Sequence, residues 1–186
     1  MLPTSTKIIA ALLTAGLLAA CQTQTVTTRP PRDIRLLDRS AIRDYMDRQE
    51  AELRRALRRT GIDVTRDGDN LVLNLRDDLL FDRNSAAVKP KARAVIHSLA
   101  LVLKRFDSTH VNVDGFTDTT GTRDYNLRLS TNRADAVGDA LAASGIIATR
   151  LSTRGYGENY LKVRTADGAD EPRNRRVEIT LEPFAA

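Results

Sequence analysis

Cysteine is nearly missing from this chain: Cys21 stands alone in 186 residues, so no disulfide can form within it. Histidine is almost as rare. Neither His97 nor His110 has a Cys, His or carboxylate partner at metal-ligand spacing, so no metal site is expected. No Gly-x-Ser-x-Gly or comparable nucleophile arrangement occurs, and the chain reads as a non-enzyme that needs no cofactor. Long apolar runs are missing too. The longest, Ile8 to Ala20, spans about 13 residues, where a helix needs roughly 20 to cross a bilayer. That excludes an ion channel built on a membrane helix with an embedded acid.

The short run fits an export signal instead. Lys7 precedes it, only Thr14 interrupts it, and small residues close it, which is the pattern of a secretory signal peptide. Leu18-Ala19-Ala20-Cys21 is similar to the lipobox of bacterial lipoprotein precursors, where a diacylglycerol joins the cysteine thiol before cleavage. Residues 1–20 are thus expected to be a lipoprotein signal peptide, with Cys21 lipidated. Several acyl chains there would anchor the protein stably. Gln22, where aspartate would favour retention in the inner membrane, points to the outer membrane, with the protein facing the periplasm.

The net charge of +5, from 29 basic and 24 acidic side chains, suits an anionic partner. An exported protein rarely meets nucleic acid, so cell-wall peptides, which carry carboxylates, fit better. Residues 21–32 hold the lipidated cysteine and a flexible tether rich in Thr and Gln that closes on Pro30-Pro31. Residues 33–60 are dense in charge, lack Pro and Gly, and place Ile42, Tyr45, Met46, Leu53 and Leu57 on a thin helical stripe, predicting a helical stalk. Residues 61–78 form a β-hairpin around Asp67-Gly68 that leads into the domain.

From 79 to 186 the periods alternate between strand and helix. Pro90 opens a helix whose buried face carries Val95, Leu99, Val102 and Phe106; His110–Gly115 is a strand. A Gly- and Thr-rich loop follows, then a helix capped by Asp124 and stopped at Gly145, with Leu129, Ala134, Val137 and Leu141 facing the core. A short strand at 150–155, a long polar loop at 156–173 and the strand RRVEITLEP complete the domain. The expected fold is α+β, with helices on one face of a mixed sheet.

Four motifs then fall in order: Gly115-Phe116-Thr117-Asp118 with Gly121, Asn126 through Arg133-Ala134, Gly155-Tyr156-Gly157-Glu158, and Asn174-Arg175-Arg176-Val177-Glu178. Together they resemble the OmpA-like peptidoglycan-binding domain, over about Leu79 to Leu181. The resemblance implies non-covalent binding of peptidoglycan through meso-diaminopimelate, with Asp118 and Arg133 as the contacting pair. It also implies an outer-membrane protein that tethers that membrane to the cell wall. Asn126, Thr117 and Asn84 are further candidate contacts. Two departures stand out: Phe116 occupies a position where the family commonly has histidine, and no proline follows Gly157.

The residue types make sense of that pairing. A carboxylate and a guanidinium lining one cleft suit a ligand with an amine and a carboxylate on one carbon. Asn126 and Arg133 lie seven residues apart, on one helix face. An alternative remains open, in which Asp118 and Arg133 simply bridge each other and brace the loop. Arg175 and Arg176 alternate along a strand, so at most one points into the cleft. Glycines 115, 121, 155 and 157 are expected to serve backbone turns. A competing expectation is a signalling or secretion-system adapter on the same fold, binding an envelope protein through residues 33–60.

Overall fold

The computed structural model describes residues 39–184. The expected signal peptide, Cys21, the tether and residues 33–38 lie outside the described residues. The elements run α1 (Arg39–Ala56), β1 (Asp63–Asp67), β2 (Asn70–Arg76), α2 (Asp77–Leu80), α3 (Pro90–Arg105), β3 (Thr109–Phe116), α4 (Arg123–Ala143), β4 (Leu151–Gly157) and β5 (Arg176–Pro183). One five-stranded sheet has the order β1-β2-β5-β3-β4, with only β3 and β4 parallel. Alternation sets its two faces. Leu71, Leu73 and Leu75 pair in register with Leu181, Ile179 and Val177, and Val111 and Val113 sit beside Leu181 and Ile179. All eight are buried, forming an apolar layer beneath the helices, while their alternates face outward. The α+β class and the mixed sheet are as the sequence implied.

The helical stalk is a correction. Tyr45, Met46 and Leu53 on α1 are fully buried, and Leu57 just beyond it nearly so. The Tyr45 hydroxyl accepts a hydrogen bond from Ser108 N at 2.9 Å, and its ring meets Phe106 edge-on at 5.4 Å. The stripe is thin because it covers only part of the groove beside α3; burying each of these side chains still contributes roughly 1.5–3 kcal/mol. Residues 39–56 therefore belong to the domain, and the hairpin at 61–78 is one edge of its sheet rather than a lead-in.

The crossover β3–α4–β4 places the cleft. Gly115 and Gly155 let α4 lie directly on the sheet: a Cβ at Gly115 would come within 2.1 Å of the Ser130 carbonyl oxygen, and one at Gly155 within 2.3 Å of Thr131 N. These two serve close approach rather than the expected turns, whereas Gly121 and Gly157 do take positive φ. The cap of α4 is Thr122, whose hydroxyl accepts from Tyr125 N, and not Asp124, which lies in the first turn. Loop 158–175 is pinned without the family's proline. The Thr119 hydroxyl donates to Ala166 O at 2.7 Å and accepts from Ala169 N at 3.0 Å. The Asn174 side chain closes a double hydrogen bond with the Val163 backbone.

Candidate functional site

The β3–α4 loop, the N-terminal half of α4, the α2–α3 segment and the start of β5 enclose a cleft of about 570 Å³. It is lined by five carboxylates, of Asp77, Asp78, Asp82, Asp118 and Asp170, and by four cations, of Arg83, Lys89, Arg133 and Arg175. The chain's excess of positive charge is thus not concentrated here. The cleft is of mixed sign.

Asp118 comes from the turn after β3 and is 1% exposed. Its Oδ1 accepts from Thr120 N at 3.1 Å and from the Thr120 hydroxyl, and its Oδ2 accepts from Arg175 Nη1. Burial pushes the carboxyl up, but the hydrogen bonds from Thr120 and Arg175 outweigh it and hold Asp118 below the ordinary carboxylate range. Arg133 projects from α4 with a 4% exposed side chain. Its Nε donates to Ser85 O at 3.0 Å, its Nη2 lies 2.9 Å from Asp77 Oδ1, and the guanidinium stands 5.1 Å from the Phe81 ring centroid. Burial lowers the Arg133 pKa, against the opposing pull of Asp77. Asp77 is pushed up by burial, and Arg133 and Arg175 offset part of that.

Asp118 and Arg133 thus share the cleft without bridging each other. Asp77 and Arg175 connect them: Arg175 bonds Asp118 and Asp170 and lies 3.6 Å from Asp77. Of the two adjacent arginines only Arg175 faces the cleft; Arg176 stacks 3.8 Å above the Phe116 ring on the other side of the sheet. Phe116 also lies face to face with Tyr156 at 5.3 Å, so the aromatic ring is committed to the open face.

Asn126 is 2% exposed, and its amide donates to Asp118 O at 3.3 Å and to Glu158 Oε2 at 2.8 Å, joining two loops. Thr117 lines the cleft with a buried hydroxyl that lacks a hydrogen-bond partner among the described residues. Asn84 sits exposed on the rim with φ +57°. Leu129 is half-buried and lines the cleft instead of the core. Asp77 was not among the expected site residues. Its only signal is an acid pair ending the strand pattern LVLNLR, where α2 begins and Asp77 N donates to Arg175 O at 3.1 Å. Among the described residues no group of three His, Cys, Asp or Glu could hold a metal ion.

A mixed sheet of this order thus carries a two-signed cleft at the β3–α4 junction. The OmpA family model matches residues 80–175, more than half of the chain. The chain belongs to the OmpA family. It is 46% identical over 140 residues to the probable lipoprotein YiaD of Escherichia coli, covering 75% of this chain and 64% of that one. It is 32% identical to the peptidoglycan-associated lipoprotein of Agrobacterium fabrum, covering 60% of this chain and 63% of that one. The chain thus spans a little under two thirds of the length of these two relatives. Among solved structures, the cell wall anchor of the T6SS from Pseudomonas aeruginosa superposes with a TM-score of 0.60 at 30% identity, over 76% of this chain and 99% of that one.

Proposed function

We propose that this chain is an envelope lipoprotein that binds peptidoglycan non-covalently and tethers the outer membrane to the cell wall. Asp118 accepts the ammonium of meso-diaminopimelate and Arg133 pairs with its carboxylate; no covalent bond is made or broken. The observation that carries this reading is the placement of Asp118 and Arg133, opposite in charge and buried on one cleft, yet not bonded to each other. Family membership, a relative named for its association with peptidoglycan and a structural neighbour described as a cell wall anchor support it. Cys21 supplies the membrane end. The adapter alternative needs the apolar stripe of residues 33–60 for a partner, but Tyr45, Met46 and Leu53 are spent within the domain.

Cosedimentation of residues 22–186 with purified peptidoglycan sacculi tests the reading, with Asp118→Ala and Arg133→Ala alongside. The parent pellets and both folded variants stay in solution. A parent that never pellets returns the function to a protein-binding adapter.

A further inference from the structure

We infer that Arg175 is a built-in competitor for the ligand's ammonium: its guanidinium occupies the Asp118 carboxylate, and binding hands it over to Asp170 and Asp77. The inference rests on the reading of Asp118 as the ammonium acceptor.

The connectivity of the charges carries it. Among the described residues Asp118 has one cationic partner, Arg175, and its side chain is 2% exposed. An incoming ammonium must share or replace that partner, because Oδ1 is already taken by the Thr120 amide and hydroxyl. Arg175, in contrast, has three acids in reach. Its side chain is 25% exposed and also touches Asp170, itself 54% exposed and 3.4 Å from Arg83, and Asp77. Moving off Asp118 therefore strands neither charge, provided a cation arrives as Arg175 leaves. A buried ion pair broken without such an exchange would be costly.

The ligand's other end completes the exchange. Asp77 now serves Arg133 and, more distantly, Arg175. A ligand carboxylate on Arg133 relieves Asp77 of that partner, and Asp77 is then available to Arg175. Each ligand charge thus replaces one member of a chain running Asp118, Arg175, Asp77, Arg133. A ligand with only an amine or only a carboxylate makes one of these two exchanges, whereas a zwitterion makes both. Selection for a zwitterion over either single charge follows from the chain itself.

The test is titration calorimetry of the detergent-solubilised full-length chain with a muropeptide whose stem ends in free meso-diaminopimelate. Arg175→Met keeps the length and removes the competitor; it binds more tightly, on the order of tenfold, the factor one charged hydrogen bond commands. Asp170→Asn removes one of the acids that receive Arg175 and weakens binding several-fold; in the Arg175→Met background it has no effect. In Arg175→Met the Asp118 carboxyl also loses a bond that holds it low, so affinity falls on acidification at a higher pH than in the parent. A merely structural Arg175 would move none of these readouts together. A parent that binds while Arg175→Met binds equally or more weakly overturns the inference and leaves the peptidoglycan reading standing. A parent that binds neither muropeptide nor sacculi overturns both. Should Arg175→Met not fold, Asp170→Asn at its exposed site decides: binding unchanged or tighter sinks the competitor.

Discussion

Arg133 stands 2.9 Å from Asp77 and donates its Nε to Ser85 O, so the α4 arginine is fastened to the α2–α3 segment and not to the loop that carries Asp118. Losing either charge from the cleft has a different structural cost. Arg133→Ala leaves Asp77, a buried acid already pushed up by desolvation, with the more distant Arg175 at 3.6 Å, and removes the cation over Phe81. It destabilises by about 3 kcal/mol in denaturant unfolding. Asp118→Asn leaves Arg175 with Asp170 and Asp77, and costs about 1–2 kcal/mol. A fold lost equally in both would contradict this connectivity.

Asp118 and Asp114 give opposite pH slopes. Hydrogen bonds hold the folded Asp118 carboxyl below its unfolded value of about 3.9, so its stabilisation is full above that pH and is lost as pH falls through the folded value. Asp114 is raised by burial first and by Glu178 directly across the strands second. Its neutral form is favoured, so stability is greatest below about pH 3.9 and is lost as pH rises through the raised value. Asp114→Asn should therefore stabilise at pH 7 by a few tenths to about 1 kcal/mol, with no gain at pH 3. Thermal melts at the two pH values measure it.

Arg150 has no role in the cleft, yet it is 5% exposed and donates to the carbonyls of Leu103, Phe106 and Thr109 at 2.8–2.9 Å. It closes the C-terminal end of α3, where carbonyls lack helical partners and a cation is favoured. Arg150→Met orphans three buried acceptors and costs about 3 kcal/mol or more, read from a urea midpoint. Wall binding per folded molecule stays unchanged.

Gly115→Ala places a methyl 2.1 Å from the Ser130 carbonyl, which is backbone and cannot swing aside. Helix α4 must lift, taking Asn126 and Arg133 with it. The variant loses about 2–3 kcal/mol of stability and, unlike Arg150→Met, also loses sacculus binding while still folded.

The apolar layer was legible in the sequence because VEITL alternates throughout and LVLNL does so apart from Val72, and the period fixes which residues share a face. That Asp118 and Arg133 line one cleft was legible through motif order. Asp77 was not, because nothing in the spacing of 77, 133 and 175 announces that a helical turn after β2 meets both arginines. Nor was the burial of α1. Its stripe shows the spacing of a packed helix, but the partner that decides between stalk and core, Ser108, lies 63 positions away. Periodicity identifies a face and is silent on what covers it.

The inclusion of α1 in the core has a mechanical consequence. Any pull arriving from the residues before Arg39 is delivered first to α1, whose hold includes the buried Tyr45, Met46 and Leu53, the bond from Ser108 to Tyr45, and ion pairs from Arg66 and Arg105. The sheet and the cleft lie behind that helix in the line of load. A tug too strong for the domain therefore strips α1 from α3 before it distorts Asp118 or Arg133, and the grip on a ligand outlasts the first yielding of the fold.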